Sequence, residues 1–348
     1  MQNNLITNQD IAEINKILET PFDEQQKIYA ETFPQSRFPG NYPIRSLIIN
    51  IETRFNSIST AAVNILKEKP QWISPSIKYK ANDDHISSPF CCFDKQENKF
   101  SIEFGETFSA FVWCTVYFFL MVIEKKAQEN PNAKKPESKY IITNDMVDRA
   151  KKLLAWALNK KSSNLCMWPT DLPSPMPTSA ICENECYYSL YANHVFTNTM
   201  TFFLYHEFFH ALFMDPCFVT DTNIKDIEKR ADYFATQVCL NPTGTKITTE
   251  GLFISILMGF SGLLFLYEKK EDYLKIVTHP PIPSRIASVI DEYEKNAQLH
   301  FDSIFNIKVV QIIMFAYACG HLGISYDPIS LCGNDTDTLL QRFIIMLT

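Results

Sequence analysis

The apolar positions fall into runs of different period. Asp10 to Leu18 carries Ile11, Ile14, Ile17 and Leu18 at helical spacing, which predicts a short amphipathic helix capped by Asp10. Ile44 to Ile51 reads as a strand, and Lys99 to Phe104 reads as a second one by its alternation. Two long apolar runs follow, Phe108–Ile123 and Leu252–Tyr267. Each is about 16 residues, short of the roughly 20 that a membrane-spanning helix needs. Each also has polar or small interruptions (Ser109 and Thr115; Ser255, Ser261 and Gly262) and ends in Glu-Lys-Lys. Buried core helices are therefore expected.

Between these runs, residues 125–140 hold Pro131, Pro136 and several lysines, the signature of an exposed linker. Asn144-Asp145 opens a helix that runs to about Asn159. Pro169, Pro173, Pro175 and Pro177 then mark an extended connector, ordered only by its contacts. From about residue 195 the pattern is mainly helical, and no internal repeat is found. The expected class is α+β, mainly α. A mixed α/β region over residues 1–130, with a regulatory or substrate-binding role, precedes a mainly helical catalytic domain over residues 140–348.

Composition narrows the function. The 348 residues suffice for one large domain or two modest ones. Only 9 are glycine, and no Gly-rich phosphate-binding pattern occurs. The net charge of −7 and the scattered lysines argue against nucleic acid as a partner. The first residues, Met1-Gln2-Asn3-Asn4-Leu5, have no basic segment followed by an apolar one, so no secretory signal is read. The 10 cysteines lack the paired spacing of a structural zinc site and are expected to be reduced thiols of a cytoplasmic protein.

The chemistry concentrates in Thr197–Met214, which has no Gly or Pro and can be helical throughout. Within it stands His206-Glu207-Phe208-Phe209-His210. Histidines four apart share one helix face, so both imidazoles reach one metal ion. Glu207 falls beside that ion, where a carboxylate can act as general base toward the attacking water. Catalytic zinc normally takes a third protein ligand. Glu228 lies 18 residues past His210 on a second predicted helix with Ile227, Ala231, Phe234 and Ala235 inward. Asp232 follows one turn later and is placed to fix a ligand imidazole. Asp221 is the rival third ligand and Asp215 a weaker one, both in an apparent loop where Asp usually caps a turn. In Thr278-His279-Pro280-Pro281, His279 is a candidate donor to an oxyanion. Arg285 is a candidate to anchor a carboxylate or orient the site.

Three stretches thus occur in order: H-E-x-x-H, then Glu228-Lys229-Arg230-Ala231-Asp232, then Thr278-His279-Pro280-Pro281 with Arg285 beyond. Together, over about residues 197–290, they resemble gluzincin metallopeptidases of the HtpX and CAAX-prenyl-endopeptidase type. The soluble character and the long N-terminal part also resemble phage-exclusion peptidases of the Lit type. The resemblance implies a zincin-like core with an active-site helix and a Glu-bearing second helix. It implies Zn2+ on His206, His210 and Glu228, Glu207 as base, support from Asp232, and His279 and Arg285 at the cleft. The implied function is hydrolysis of an intracellular protein or peptide, in stress or anti-phage defence, under control of a regulatory partner. A membrane-associated quality-control protease and a non-catalytic zinc-stabilised module are the alternatives.

Overall fold

Every residue from Glu106 to Val122 is buried, so the first long apolar run forms a helix with no wet face. A helix apolar all round belongs in a core. This helix, α1 (Glu106–Glu129), is seen in a computed structural model. The described residues are 43–55, 76–130, 140–159, 168–213, 224–240, 250–296, 301–327 and 335–348, apart from short breaks inside these ranges. The helix expected over Asp10–Leu18 lies outside them.

The structure is mostly helical with a small sheet, the class expected. Its strands are β1 (Ser76–Lys80), β2 (Phe90–Asp94) and β3 (Lys99–Gly105), hydrogen-bonded in the order β1-β3-β2. The strand expected over Lys99–Phe104 is observed as β3, with Ile102 and Phe104 buried, but burial does not alternate strictly, since Ser101 is buried as well. The strand expected over Ile44–Ile51 is corrected to helix, at residues 45–48 and 50–52. Ile44, Leu47, Ile48, Ile51 and Phe55 are its buried residues. They recur at three- and four-residue steps, so a helix can bury them on one face where a strand would split them between two.

The chain divides into two compact units, interleaved in sequence: residues 1–57, 77–90 and 103–200, and residues 58–76, 91–102 and 201–348. In the first, α1 packs on α2 (Asn144–Asn159). The stripe Met146, Ala150, Leu153, Leu154 and Ala157 is the buried face of α2. The linker expected over 125–140 is partly helix, because α1 continues to Glu129. Lys125 and Gln128 on that last turn donate to the carbonyls of Ile142 and Tyr140.

The proline-rich connector is packed: Trp168, Leu172, Ser174 and Met176 are all buried. Trp168 Nε1 donates to the Pro173 carbonyl at 2.9 Å, and Asn193 Nδ2 donates to the Pro175 carbonyl at 2.9 Å. Arg149 grips the fully buried Glu185, near the start of α3 (Glu183–Phe213), through Nε (2.8 Å) and Nη2 (3.1 Å).

The second unit holds the later part of α3, then α4 (Ile224–Leu240), α5 (Glu250–Leu263), α6 (Ile282–Asn296), α7 (Phe301–His321) and α8 (Thr336–Leu347). The run Leu252–Tyr267 is α5 plus a 3₁₀ turn, Leu264–Leu266, with Phe253, Ile256, Leu257, Phe260 and Leu264 buried. Helix α6 packs on α4 and α5, and α7 packs on α5 and α8. Among the described residues, two helical segments are long and apolar enough to cross a membrane by length and composition. Glu106–Glu129 is 94% buried over its apolar window, while Ile304–His321 is only 33% buried. The second was not read from the sequence, because Asn306, Lys308 and Gln311 interrupt its apolar run.

Candidate metal centre

Near the C-terminal end of α3, the four-residue spacing puts His206 and His210 on one face, and both are buried. Their Nε2 atoms face each other at 3.2 Å. Helix α4 presents Glu228 to both: Oε2 is 3.0 Å from His206 Nε2, and Oε1 is 3.3 Å from His210 Nε2. The small residues Ala231 and Ala235, fully buried on α4, let it pack closely at this point. One turn past Glu228, Asp232 accepts from His206 Nδ1 at 2.9 Å.

Asp232 is in turn gripped by Arg285 from the first turn of α6, with Nε to Oδ2 at 2.7 Å and Nη2 to Oδ1 at 2.6 Å. The Arg285 guanidinium sits over the Phe260 ring of α5, 4.6 Å from its centroid. His279, just before α6, brings Nε2 to 3.0 Å from Glu228 Oε2. Glu207 Oε1 is 3.9 Å from His206 Nε2, and its Oε2 accepts the backbone N–H of Cys91 on β2 at 2.9 Å.

All seven residues singled out in the sequence are therefore gathered in one place in the second unit. The rivals Asp215 and Asp221 lie outside the described residues. The contact that sequence reasoning missed is the Cys91 amide. A main-chain donor carries no side-chain signature, so nothing in the residue pattern pointed to it.

The charges are strongly coupled. Burial alone would push His206 down, but its hydrogen bonds to Asp232 and Glu228 outweigh it and raise its pKa to about 9. Burial would raise Glu228, yet the three imidazoles His206, His210 and His279 hold it well below the usual carboxylate range. Burial likewise opposes ionisation of Asp232, and Arg285 overrides it, holding the pKa at about 2. At Glu207 burial wins, and the carboxyl is raised above its ordinary value.

The donor set fits a cation. Ligand atoms of His206, Glu207 and His210 lie within 4.8 Å of one another, as do those of His206, Glu228 and His279. The two Nε2 atoms face each other at 3.2 Å, and each carboxylate oxygen of Glu228 lies within 3.3 Å of one of them. A tetrahedral ion with ligands at about 2.0–2.1 Å separates those ligands by about 3.3 Å, close to the spacings seen among His206, His210 and Glu228. The group can thus hold a metal ion, with its acceptor atoms already converging.

The sequence model of one protein family, Peptidase U49, a Lit-like family, matches residues 102–304, well over half of the chain. That span contains every residue of the cluster except Cys91. No curated protein and no solved structure matches the chain.

Proposed function

The chain belongs to the peptidase U49 family, and on that premise we propose that it is a zinc-dependent endopeptidase of the Glu type. The observation that carries this reading is the convergence of His206 Nε2, His210 Nε2 and the Glu228 carboxylate, with Glu207 alongside. Two imidazoles and one carboxylate are a donor set that favours zinc. When bound there, zinc would polarise the scissile carbonyl and make the attacking water more acidic.

The remaining work falls to the chain. Glu207 takes a proton from the water and passes it to the leaving amine, and burial raises its carboxyl above the ordinary value, which makes it the stronger base. Asp232 fixes the His206 ring with Nε2 toward the centre, and Arg285 holds Asp232 ionised. His279 stands at the exposed side of the cluster, placed to meet a substrate carbonyl. The likeness to the HtpX and CAAX group rests on the three sequence stretches only.

The substrate is proposed to be a protein or peptide of the cytoplasm, cleaved in stress or anti-phage defence under a regulatory partner, with no role for nucleic acid. Such an enzyme needs restraint in that compartment. One observation favours a membrane-associated variant of the same enzyme: the apolar segment Ile304–His321 is only 33% buried. Fractionation of the expressed protein separates the two.

The test of the catalytic reading is Glu207→Gln with metal analysis. Zinc content equal to wild type with loss of peptide cleavage is expected. Full cleavage by the variant would overturn it.

A further inference from the structure

We infer that His279 is a displaceable fourth protein ligand, which closes the metal centre until a substrate carbonyl takes its place. The inference rests on the metal reading given above. Its first support is position. His279 Nε2 lies 3.0 Å from Glu228 Oε2, and the ligand atoms of His206, Glu228 and His279 share one 4.8 Å envelope. The His206 and His279 rings are near parallel, with centroids 6.3 Å apart and planes 24° apart. The nitrogen is thus turned toward the protein's own ligand cluster.

The second support is how the ring is held. His279 Nδ1 pairs with Thr278 Oγ1 at 2.9 Å. In the tautomer where Nδ1–H donates to that hydroxyl, Nε2 is left with the lone pair that a metal accepts, whereas without a metal the same Nε2 faces Glu228 Oε2. Pro280 and Pro281 fix the backbone immediately after it. A ligand histidine ordinarily has its other nitrogen tied in this manner, as His206 is tied to Asp232.

The third support is an asymmetry of burial. The side chains of His206 and His210 are 5% and 10% exposed, whereas that of His279 is 42% exposed. The first two cannot leave without unpacking α3. His279 can swing into solvent without opening the core. Three buried ligands plus one exposed ligand make a centre with a single weak side.

The consequence is restraint. A zinc with four protein ligands is closed, whereas a catalytic zinc keeps one position open. In the resting protein His279 fills that position, and an entering peptide must evict it. The displaced imidazole stays at the mouth of the site, beside the carbonyl that replaced it.

The test is made on the full chain. Zinc affinity is measured by competition titration, and the visible bands of the cobalt(II) form are recorded, for wild type, His279→Ala and His206→Ala. The expected result is that His279→Ala binds zinc at least about tenfold more weakly, on the scale of a lost supporting group or more. Its cobalt bands shift away from those of the four-ligand centre, and circular dichroism shows an unchanged fold. Unchanged bands overturn the inference, whether or not affinity falls, because weaker binding alone reports only the His279–Glu228 ion pair. In either case loss of metal by His206→Ala keeps the underlying metal reading. A wild-type protein that takes up neither zinc nor cobalt overturns both.

Discussion

The backbone N–H of Cys91 donates to Glu207 Oε2 at 2.9 Å, so an edge strand of the described sheet holds the carboxylate that stands beside His206, His210 and Glu228. The Cys91 thiol is pushed up to about 12, first by burial and then by the negative charge of Glu207. Its sulfur therefore stays protonated at neutral pH, and the group that meets Glu207 is the amide.

This gives a prediction that separates main chain from side chain. Cys91→Ala keeps the amide and should cleave peptide at close to the wild-type rate. Cys91→Pro removes the donor, and proline is tolerated on an edge strand whose N–H faces away from the sheet. A hydrogen bond to a charged group is worth about 1.5–3 kcal/mol. Cys91→Pro should thus lower kcat by roughly ten- to a hundredfold. Steady-state kinetics with metal analysis check this, with KM and zinc content unchanged. Equal kcat in the two variants would assign the contact no role in aiming Glu207.

The Asp232–Arg285 pair predicts an acid limb of stability. The folded pKa of about 2 lies below the ordinary value for Asp of about 3.9. A depressed carboxyl contributes stability that is present above its unfolded pKa and lost as pH falls through the folded one. In metal-free protein, the destabilisation caused by Asp232→Asn should be full at pH 6 and shrink between about pH 4 and pH 2. Urea unfolding of both proteins across that range is the measurement. A difference independent of pH would show that Asp232 acts by packing instead.

Much of this centre was legible in the sequence because helix geometry translates spacing into position. A four-residue step places His206 over His210, and the same step places Glu228 beside Asp232. Bringing α3, α4 and the His279 turn together needed the fold, yet the small Ala231 and Ala235 already marked the face of α4 that packs closely. The N-terminal part was harder. Ile44–Ile51 is a short apolar stretch in which period two and period 3.6 both find matches, and only burial through to Phe55 decides for helix. The packed proline segment was illegible for another reason. Its order comes from side chains far along the chain, Asn193 among them, and no local pattern encodes such a partner.

A different pair tests the first unit. Glu185 is fully buried with Arg149 against it, and Glu185 Oε2 also accepts the Ile181 N–H at 2.9 Å, just before α3 begins. Removing one partner of a buried ion pair leaves an uncompensated charge, at a cost of about 3–5 kcal/mol. Arg149→Ala should therefore be destabilised by about that amount in chemical denaturation. The double variant Arg149→Met with Glu185→Leu should recover most of the loss, because no charge is then stranded. A double variant as unstable as Arg149→Ala would mean that Arg149 matters mainly through its bond to the Asp171 carbonyl.

Metal removal is the most direct probe of the cluster as a whole. His206, His210 and Glu228 converge on one space, and without a cation their balance rests on a protonated His206. A ligand that binds only the folded state stabilises it by about 2.7 kcal/mol at a hundredfold excess over Kd. Zinc at that excess should raise the Tm of chelator-stripped protein by several degrees, and a chelator should reverse the rise. His210→Ala should show neither effect, since it lacks one of the three converging ligands. Glu207→Gln should show both, because Glu207 lies beside the cluster and is not needed to hold the ion. Calorimetry of the three proteins, with and without zinc, checks this, and a wild-type Tm indifferent to zinc would refute a metal bound at His206, His210 and Glu228.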